Sequence, residues 1–396
     1  MIDDWCTLPA GKVARISIGG TPAREVGAFW SDREGGHPWV SIADMKSHSI
    51  FETAEYISDL GVASSNVKLV PAGTPIMSFK LTIGKTSVAL RDLYTNEAIA
   101  AFDCDLSVVN PRFLFHALPS SAARVVTDVA IKGATLNKKS LSSMPLLLPP
   151  LREQRRIAAI LDALDEQIIA TELIISKLKQ FRSGLLLDLI DRGDNGVRWE
   201  PLAAVARVTV GYVGPTNPFY TSSDGGVLFL RTGNIGSGRI LLDNCRWVTE
   251  SFHRSQAKSG LHAGDVVVSR VGYTGTAAVV PELGEVNCAN MIIIRAGGDV
   301  RPDWVRLLFE SETYRRQVIG FTAGSAQPVL NIGLVEQLKT PVPSCQRQDR
   351  IIAAIAEHDV RQESEIGLCA KLRCEKLGLL SDLLSGRVRL PREVAA

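Results

Sequence analysis

The sequence contains no run of about 18 apolar residues, the length that a helix needs to cross a membrane. Its N-terminus, Met1-Ile2-Asp3-Asp4-Trp5, lacks the basic and then apolar pattern of a signal peptide. The seven cysteines include no C-x-x-C pair, so we interpret them as reduced thiols in a cytoplasmic protein. The remaining composition, 45% hydrophobic and 22% charged over 396 residues, is that of a soluble globular protein with two or three domains.

Signatures of catalysis and of metal binding are also missing. The six histidines form no closely spaced pair of metal ligands, and there is no phosphate-binding loop for ATP. Asn217-Pro218-Phe219-Tyr220 superficially resembles the N-P-P-aromatic motif of adenine methyltransferases, but it lacks the second proline and a preceding glycine-rich cofactor loop. We interpret this segment as a turn, and we expect no metal, no cofactor and no catalytic residue in the chain.

A strong excess of basic charge is absent as well. The formal net charge is +2, and basic and acidic residues are nearly balanced in both halves. A domain that binds DNA through charge alone is usually strongly basic. If nucleic acid is the partner, the basic residues must be focused on one face, or another subunit must supply charge.

The sequence does have a long internal repeat. The segment from Leu136 to Ile157 reappears as Leu330 to Ile351, with asparagine, proline, glutamine and arginine at matching positions. The copies also match upstream, and a short insertion between Gly324 and Leu330 accounts for a change in their offset. A repeat of this length predicts two similar domains, each followed by its own helix, and therefore a pseudo-two-fold internal duplication.

Apolar segments punctuated by glycine and proline indicate a mixed α/β domain in each copy. In residues 1–148 the expected strands are Trp39–Ile42, Pro75–Phe79 and Thr86–Ala89. In residues 198–342 the expected strands are Leu228–Leu230, Asp265–Ser269 and Ala277–Val280. A helix is expected to begin at Asp303, a good N-cap, and to end at Gly320.

The segments 149–197 and 343–396 are expected to be helical, with long helices over about 152–190 and 346–385. Positions alternately four and three residues apart form a stripe that is typical of a coiled-coil seam. One such stripe could belong to an ordinary core-facing helix. Two stripes at equivalent places favour pairing of the helices with each other, antiparallel because equivalent domains at opposite ends require opposed helices. The predicted interface residues are Ile157, Leu161, Leu164, Ile168, Ile175, Leu178, Leu185, Ile351, Ile355, Leu372, Leu379 and Leu383.

The start of the first helical region carries a family signature. Leu148-Pro149-Pro150-Leu151-Arg152-Glu153-Gln154-Arg155-Arg156-Ile157 is similar to the conserved-region motif of the specificity subunits of type I restriction–modification systems. Other segments resemble the target-recognition domains of that family: Gly19–Pro22, Trp39–Met45, Lys80–Lys85 and Asn96–Ile99, then Phe229–Ile235 and Gly264–Gly272 in the second half. The second helix motif, Pro343-Ser344-Cys345-Gln346-Arg347-Gln348, departs from the pattern because it lacks the second proline and the glutamate.

The resemblance implies an α+β fold with two similar mixed α/β target-recognition domains, 1–148 and 198–342, separated by a pair of long antiparallel coiled-coil helices. It implies that each domain reads one part of a split double-stranded DNA sequence. It also implies that the helices bind two adenine methyltransferase subunits, and that motor–nuclease restriction subunits join them. The chain itself would be non-catalytic. S-adenosylmethionine, ATP and Mg would bind to the partner subunits, which methylate adenine at N6 and cleave DNA with ATP.

Reading DNA requires hydrogen-bond donors and acceptors on a rigid frame. Two equivalent segments that follow apolar strands are the best placed, Ser78–Lys85 and Ser269–Thr276, because their glycines allow close approach of the backbone. The alternative is that both are ordinary exposed hairpin loops. The candidate DNA-binding residues are Lys80, Thr82, Lys85, Arg270, Tyr273 and Thr276, with Arg24, Lys46, Arg231 and Asn234 as weaker candidates.

Three other functions compete with a type I specificity subunit. The chain could serve a methylation-only or another phage-defence system, which the sequence does not separate from restriction. A stand-alone methyltransferase or nuclease would need a cofactor or metal motif, which we do not find. A coiled-coil scaffold that reads no DNA would not need two structured domains with matching loops.

Overall fold

The computed structural model describes residues 4–131, 136–191, 197–236, 238–270, 275–322 and 330–391. They form two compact units. The first unit comprises Met1–Glu172 and Leu368–Ala396, and the second comprises Leu173–Gly367. Each unit therefore holds one copy of the repeat and part of both long helices. The functional boundaries expected near residues 148, 197 and 342 stay predictions, and the insertion after Gly324 falls at residues outside the described ranges.

The first unit contains three sheets. Its five-stranded sheet has the order Ala14–Ile18, Ile99–Cys104, Pro75–Ser78, Thr86–Ala89 and Ser49–Ile50. Its four-stranded sheet has the order Trp30–Ser31, Glu55–Ile57, His37–Val40 and Tyr94–Thr95. Its two-stranded sheet pairs Cys6–Pro9 with Pro145–Leu148. Its helices, apart from the long ones, are Ala10–Val13, Asp59–Ala63, Pro111–Ile131 and Lys138–Ser142, with a 3-10 turn at Gly27–Phe29.

The second unit repeats this scheme. Its four-stranded sheet has the order Ala206–Val210, Met291–Ala296, Val266–Ser269 and Ala277–Val279. Its five-stranded sheet has the order Tyr220–Thr221, Arg246–Val248, Val227–Leu230, Val286–Cys288 and Gly260–Leu261, and Arg198–Pro201 pairs with Lys339–Val342. Its helices are Leu202–Val205, Glu250–Ser255, Pro302–Glu310, Glu312–Thr322 and Ile332–Glu336, with 3-10 turns at Asn217–Phe219, Thr232–Asn234 and Ala257–Ser259. The predicted duplication is confirmed.

Each predicted strand is present to within about two residues, the usual uncertainty at element ends. The single helix expected from Asp303 to Gly320 is wrong, because the chain forms two helices that are separated at Ser311. Ser311 is extended, and its hydroxyl donates to the carbonyl of Leu308 and accepts from the amide of Tyr314. Such local side-chain bonds compete with a continuous helix, which explains the break.

The two long helices begin and end close to the predicted positions. The first long helix, Leu151–Leu186, continues into one π-helical turn, Leu187–Asp191. The second long helix is Cys345–Ser385. No helix in the described part of the chain is both long and apolar enough to cross a membrane.

The long helices pack antiparallel in each unit. In the first unit Leu161, near the start of the first long helix, shares a core with Leu383, near the end of the second. In the second unit Leu186, at the end of the first long helix, shares a core with Ile355, near the start of the second. The antiparallel arrangement predicted from the seam is confirmed.

An ion pair between the long helices occurs in both units at equivalent positions of the repeat. Lys376 donates to Asp165 in the first unit, and Arg182 donates to Asp359 in the second, with 2.6 Å between Nε and Oδ1. Asp165 is only 3% exposed, so removing Lys376 would leave an uncompensated buried charge.

The residues that were predicted for the helix interface are all buried or half-buried. The buried ones are Ile157, Leu161, Ile168, Ile351, Ile355, Leu372 and Leu383. The half-buried ones are Leu164, Ile175, Leu178, Leu185 and Leu379. Removing a large side chain from such a position typically costs about 2–5 kcal/mol.

Cross-linking checks the helix orientation in solution. In a background with the exposed Cys6 and Cys374 changed to serine, Leu161→Cys with Leu379→Cys should form a disulfide, because both positions belong to one core. Leu161→Cys with Ile355→Cys serves as the control, because Ile355 lies in the core of the other unit. Preferential bonding in the control pair, seen as a mobility shift on a non-reducing gel, would contradict the antiparallel arrangement.

Candidate nucleic-acid interface

The loop over residues 78–85 connects the neighbouring strands Pro75–Ser78 and Thr86–Ala89. The buried Ser78 closes its base. The Ser78 hydroxyl donates to the carbonyl of Thr82, the Ser78 amide donates to Lys85, and the amide of Gly84 donates back to Ser78. Gly84 has φ +82°, a conformation that glycine adopts without strain. These bonds hold a rigid loop from which Lys80 and Thr82 are exposed to solvent.

Two of the predicted DNA-binding residues lie at one cavity of about 690 Å³ in the first unit. Lys85 from the loop and Lys46 from another segment both line this cavity. Arg124 contributes further positive charge, and Lys376, which is paired with Asp165, also lies at the cavity. Met45, Phe115 and Leu380 contribute apolar surface. We call this feature the basic cavity. The sequence places its residues far apart, and only the fold brings them together.

The basic cavity carries an excess of positive charge. None of its lining residues is an aspartate or a glutamate. Within the described ranges, Lys46, Lys85 and Arg124 form no ion pair, and Arg124 donates only to the hydroxyl of Ser121, at 3.3 Å. Unpaired cations on a concave surface attract anions, and phosphate groups are the anions that lysine and arginine commonly hold.

A partly buried ion-pair network lies next to the basic cavity. Arg112 donates to Asp162 through two nitrogens, at 2.6 and 3.0 Å, and His116 Nε2 lies 2.7 Å from the same carboxylate. Burial raises the pKa of Asp162, but the hydrogen bonds of His116 and Arg112 outweigh it and lower this pKa to about 2. Burial lowers the pKa of His116, although Asp162 opposes the shift. Asp162 therefore stays ionised at neutral pH and neutralises Arg112.

The same network has the spacing of a possible metal site. Ligand atoms of His116, Asp162 and Asp165 lie within 4.8 Å of one another. Both carboxylates already have cationic partners, however, because Arg112 holds Asp162 and Lys376 holds Asp165. The second unit repeats the pairing of Asp165 with a basic residue, so the arrangement fits packing between helix and domain better than it fits metal binding.

The equivalent region of the second unit contains a cluster of ion pairs. Arg306 takes the repeat position of Phe115, and it forms ion pairs with Glu310 and Asp303. Glu310 also accepts a hydrogen bond from Arg182, at 2.6 Å. The opposite charges in this cluster neutralise each other. The two units therefore differ in charge at equivalent positions of the repeat.

The second predicted loop is described only at its ends. Arg270 is half-buried, and its Nε donates to the carbonyl of Leu330, at 3.2 Å. Thr276 is half-buried as well. Tyr273 lies outside the described residues, as do all residues of the range 271–274.

The weaker candidates differ in how free their side chains are to contact DNA. Asn234 is only 2% exposed, and its amide donates to the carbonyls of Leu241 and Asp243. Its oxygen accepts from the amide of Arg231, so the side chain stabilises its own loop, which argues against the predicted contact with DNA. Arg231 is half-buried and donates to the carbonyl of Asn244.

Arg24 is also engaged within the first unit. Its guanidinium lies 4.1 Å from the ring centroid of Trp30 and 4.8 Å from that of Trp39, and it forms an ion pair with Glu55. This neutralised cation is less suited to phosphate than Lys46 or Lys85. For the exposed candidates, contact with DNA stays a prediction.

Sequence reasoning missed two features of this surface. Arg124 and Lys376 lie on long helical segments with no local motif, so nothing in the sequence assigned them to the cavity. Leu81 lies in the predicted loop over 78–85 and is 94% exposed. An apolar residue inside a glycine-containing basic loop was a signal that could have been noticed.

Comparison with known proteins gives one consistent family. The family described as "Type I restriction modification DNA specificity domain" matches residues 2–180. The specificity subunit of the Escherichia coli type I restriction enzyme EcoR124I/EcoR124II is 28% identical over 174 residues. That match covers 41% of this chain and 41% of the relative, so it spans less than half of either.

Two longer matches extend over most of the chain. The EcoBI specificity subunit from Escherichia coli is 23% identical over 390 residues, 90% of this chain and 79% of the relative. The MjaVIII specificity subunit from Methanocaldococcus jannaschii is 20% identical over 416 residues, 98% of this chain and 94% of the relative.

Solved structures share the fold. A chain from a study of complex assembly and conformational transition of the type I R-M system superimposes with a TM-score of 0.63 at 16% identity. The alignment covers 97% of this chain and 98% of that one. The S subunit of a type I system from M. genitalium gives a TM-score of 0.59 at 14% identity, with 96% of both chains covered.

Proposed function

Because the chain belongs to the specificity subunits of type I restriction–modification systems, we propose that it reads a bipartite DNA site, one part with each recognition domain. As a specificity subunit it is the DNA-recognition component and not the catalytic one. It would dock two adenine methyltransferase subunits, and motor–nuclease subunits would complete a restriction enzyme in the cytoplasm. S-adenosylmethionine, ATP and Mg would bind to those partners.

The basic cavity is the observation that carries the proposal for DNA. The chain as a whole has a net charge of only +2, yet Lys46, Lys85 and Arg124 line one cavity and form no ion pair with any residue that the structure describes. Local focusing of charge is what a nearly neutral protein needs in order to hold DNA phosphates.

The long helices support the proposal that partner subunits dock on them. Both helices expose large apolar side chains that the described residues leave uncovered, and exposed apolar surface of this kind commonly marks a protein interface. The exposed side chains are Ile169, Leu173, Ile174, Phe181, Val360, Ile366, Leu368 and Leu377. A methylation-only system would use the same surfaces, so the genes beside this one would distinguish it from restriction.

Mapping of methylated adenines tests the proposed function directly. The chain, co-produced with an adenine methyltransferase encoded beside it, should direct methylation to one sequence motif in two parts separated by a spacer. The methyltransferase alone is the control and should give no such motif. Methylation confined to a short continuous sequence would contradict the proposed split site.

Neutralising the basic cavity should weaken DNA binding without changing the motif. For the assembled complex carrying Lys46→Ala and Lys85→Ala, we expect the slope of log affinity against log salt to fall by about 0.9 for each lost phosphate contact. The matched control changes two exposed lysines of the same unit that form no ion pair with the described residues, Lys12→Ala and Lys68→Ala. If both double variants lose equal slope in a salt titration, the basic cavity has no special role.

A further inference from the structure

Leu81 combines two unusual properties. Its side chain is 94% exposed, the highest value among the large exposed apolar residues of the described chain. Its backbone has φ +60°, in the left-handed region that side chains with a Cβ rarely adopt. Among the described residues other than glycine, Asn244 and Asn290 also have a positive φ, and asparagine tolerates that conformation. Leu81 therefore adopts a strained backbone conformation without gaining burial.

The surrounding loop holds this side chain outward. Ser78 fixes the loop base through hydrogen bonds with Thr82, Gly84 and Lys85. Phe79 is buried at 2% exposure and anchors the loop in the core. A strained residue that persists on a rigid and exposed loop is a frequent sign of a functional contact.

The positive charges beside Leu81 favour DNA as its binding partner. Lys80 precedes it and is exposed, and Lys85 at the end of the loop lines the basic cavity. Duplex DNA offers phosphates on both sides of a groove with stacked apolar bases between them. Proteins commonly place an apolar side chain such as leucine between adjacent base pairs and hold the neighbouring phosphates with lysine or arginine.

We propose that Leu81 is a wedge that enters a base step in the half-site read by the first recognition domain, while Lys85 holds a flanking phosphate. The inference rests on the proposed function, since it requires that the complex bind a specific DNA sequence. Gly272 occupies the matching position of the sequence repeat and has no side chain to insert. The wedge should therefore act in only one of the two half-sites.

The experiment uses the assembled complex with DNA in which adenines of the mapped site are replaced, one at a time, by fluorescent 2-aminopurine. Unstacking of a base raises this fluorescence. Apart from the target adenines, which the methyltransferase subunits flip out of the duplex in both half-sites, the wild type should raise it at one further step, in one half-site. Leu81→Gly should abolish that rise and lower specific affinity about tenfold. Because glycine relieves the positive φ, the melting temperature of this variant should equal or exceed that of the wild type.

A matched control removes another exposed leucine from the same unit. Leu106 is 66% exposed, and Leu106→Gly should keep the fluorescence rise and the affinity. An unchanged rise in Leu81→Gly would overturn the wedge. So would failure of Leu81→Gly to assemble with the methyltransferase, because Leu81 would then contact protein. If the wild-type complex binds no specific site, the proposed function itself fails, which the affinity measurement shows separately from the fluorescence.

Discussion

Replacing Gln154 by leucine should lower the free energy of unfolding by about 3 kcal/mol, because three partly or fully buried backbone groups would lose their partner. Gln154 is only 1% exposed. Its Nε2 donates to the carbonyls of Val108 and Pro149, at 3.0 and 2.8 Å, and its Oε1 accepts from the amide of Asn110, at 2.8 Å. Leucine fills a similar volume, so the loss would come from the unpaired groups. Urea denaturation of the whole chain measures the change.

Two variants sharpen this prediction. Gln167 lies on the same helix and is exposed, so Gln167→Leu should change the free energy of unfolding by less than about 0.5 kcal/mol. Gln348→Leu should cost as much as Gln154→Leu, because Gln348 makes the equivalent bonds to Asp299, Pro343 and Arg301. Equal stability of the Gln154 and Gln167 variants would show that the buried bonds contribute nothing.

These glutamines explain why the motif before each long helix recurs. The second copy lacks the second proline and the glutamate, yet its helix begins at Cys345, the position that matches Leu151. Gln348 repeats every bond of Gln154, and the hydroxyl of Ser344 accepts from the amide of Arg347 as an N-cap. The hydrogen bonds of Gln348 and the N-cap at Ser344 thus preserve the helix start, although the second copy lacks part of the sequence motif.

The sequence predicted the features that depend on periodicity and on repetition. The duplication, the two long helices and their antiparallel packing follow from patterns that extend over many residues. The break at Ser311 was not predicted, because one serine hydroxyl decides it. Asn234 was placed among the DNA-binding candidates because its residue type suits adenine, whereas its loop uses every part of the amide.

The basic cavity could not be predicted from the sequence, because its residues come from separate segments that only the fold brings together. Lys46, Lys85 and Arg124 come from different elements, and residue type alone gave no reason to group them. Arg306, at the repeat position of Phe115, makes the second unit different at the matching place. Because the frameworks match and these surfaces differ, the two halves should read different sequences.

Changing one basic residue in each half should alter one half of the methylated motif at a time. Lys80 is exposed beside the ring of Phe79, and Arg270 is oriented by the carbonyl of Leu330. A side chain at a base edge contributes about 1–3 kcal/mol of discrimination, or roughly 5- to 150-fold. Lys80→Ala should therefore relax or abolish the first half-motif, and Arg270→Ala the second. The readout is the set of methylated adenines in cells that produce each variant complex.

Arg270→Lys separates a base contact from a phosphate contact. Lysine keeps the charge but not the planar fork that pairs with guanine, so the motif should relax almost as much as with alanine if Arg270 reads a base. If it holds phosphate, lysine should restore methylation and the motif should stay unchanged. A uniform fall in methylation with an intact motif in both alanine variants would mean that neither residue reads bases. Loss of both half-motifs from one change would refute the hypothesis that each recognition domain reads one half-site.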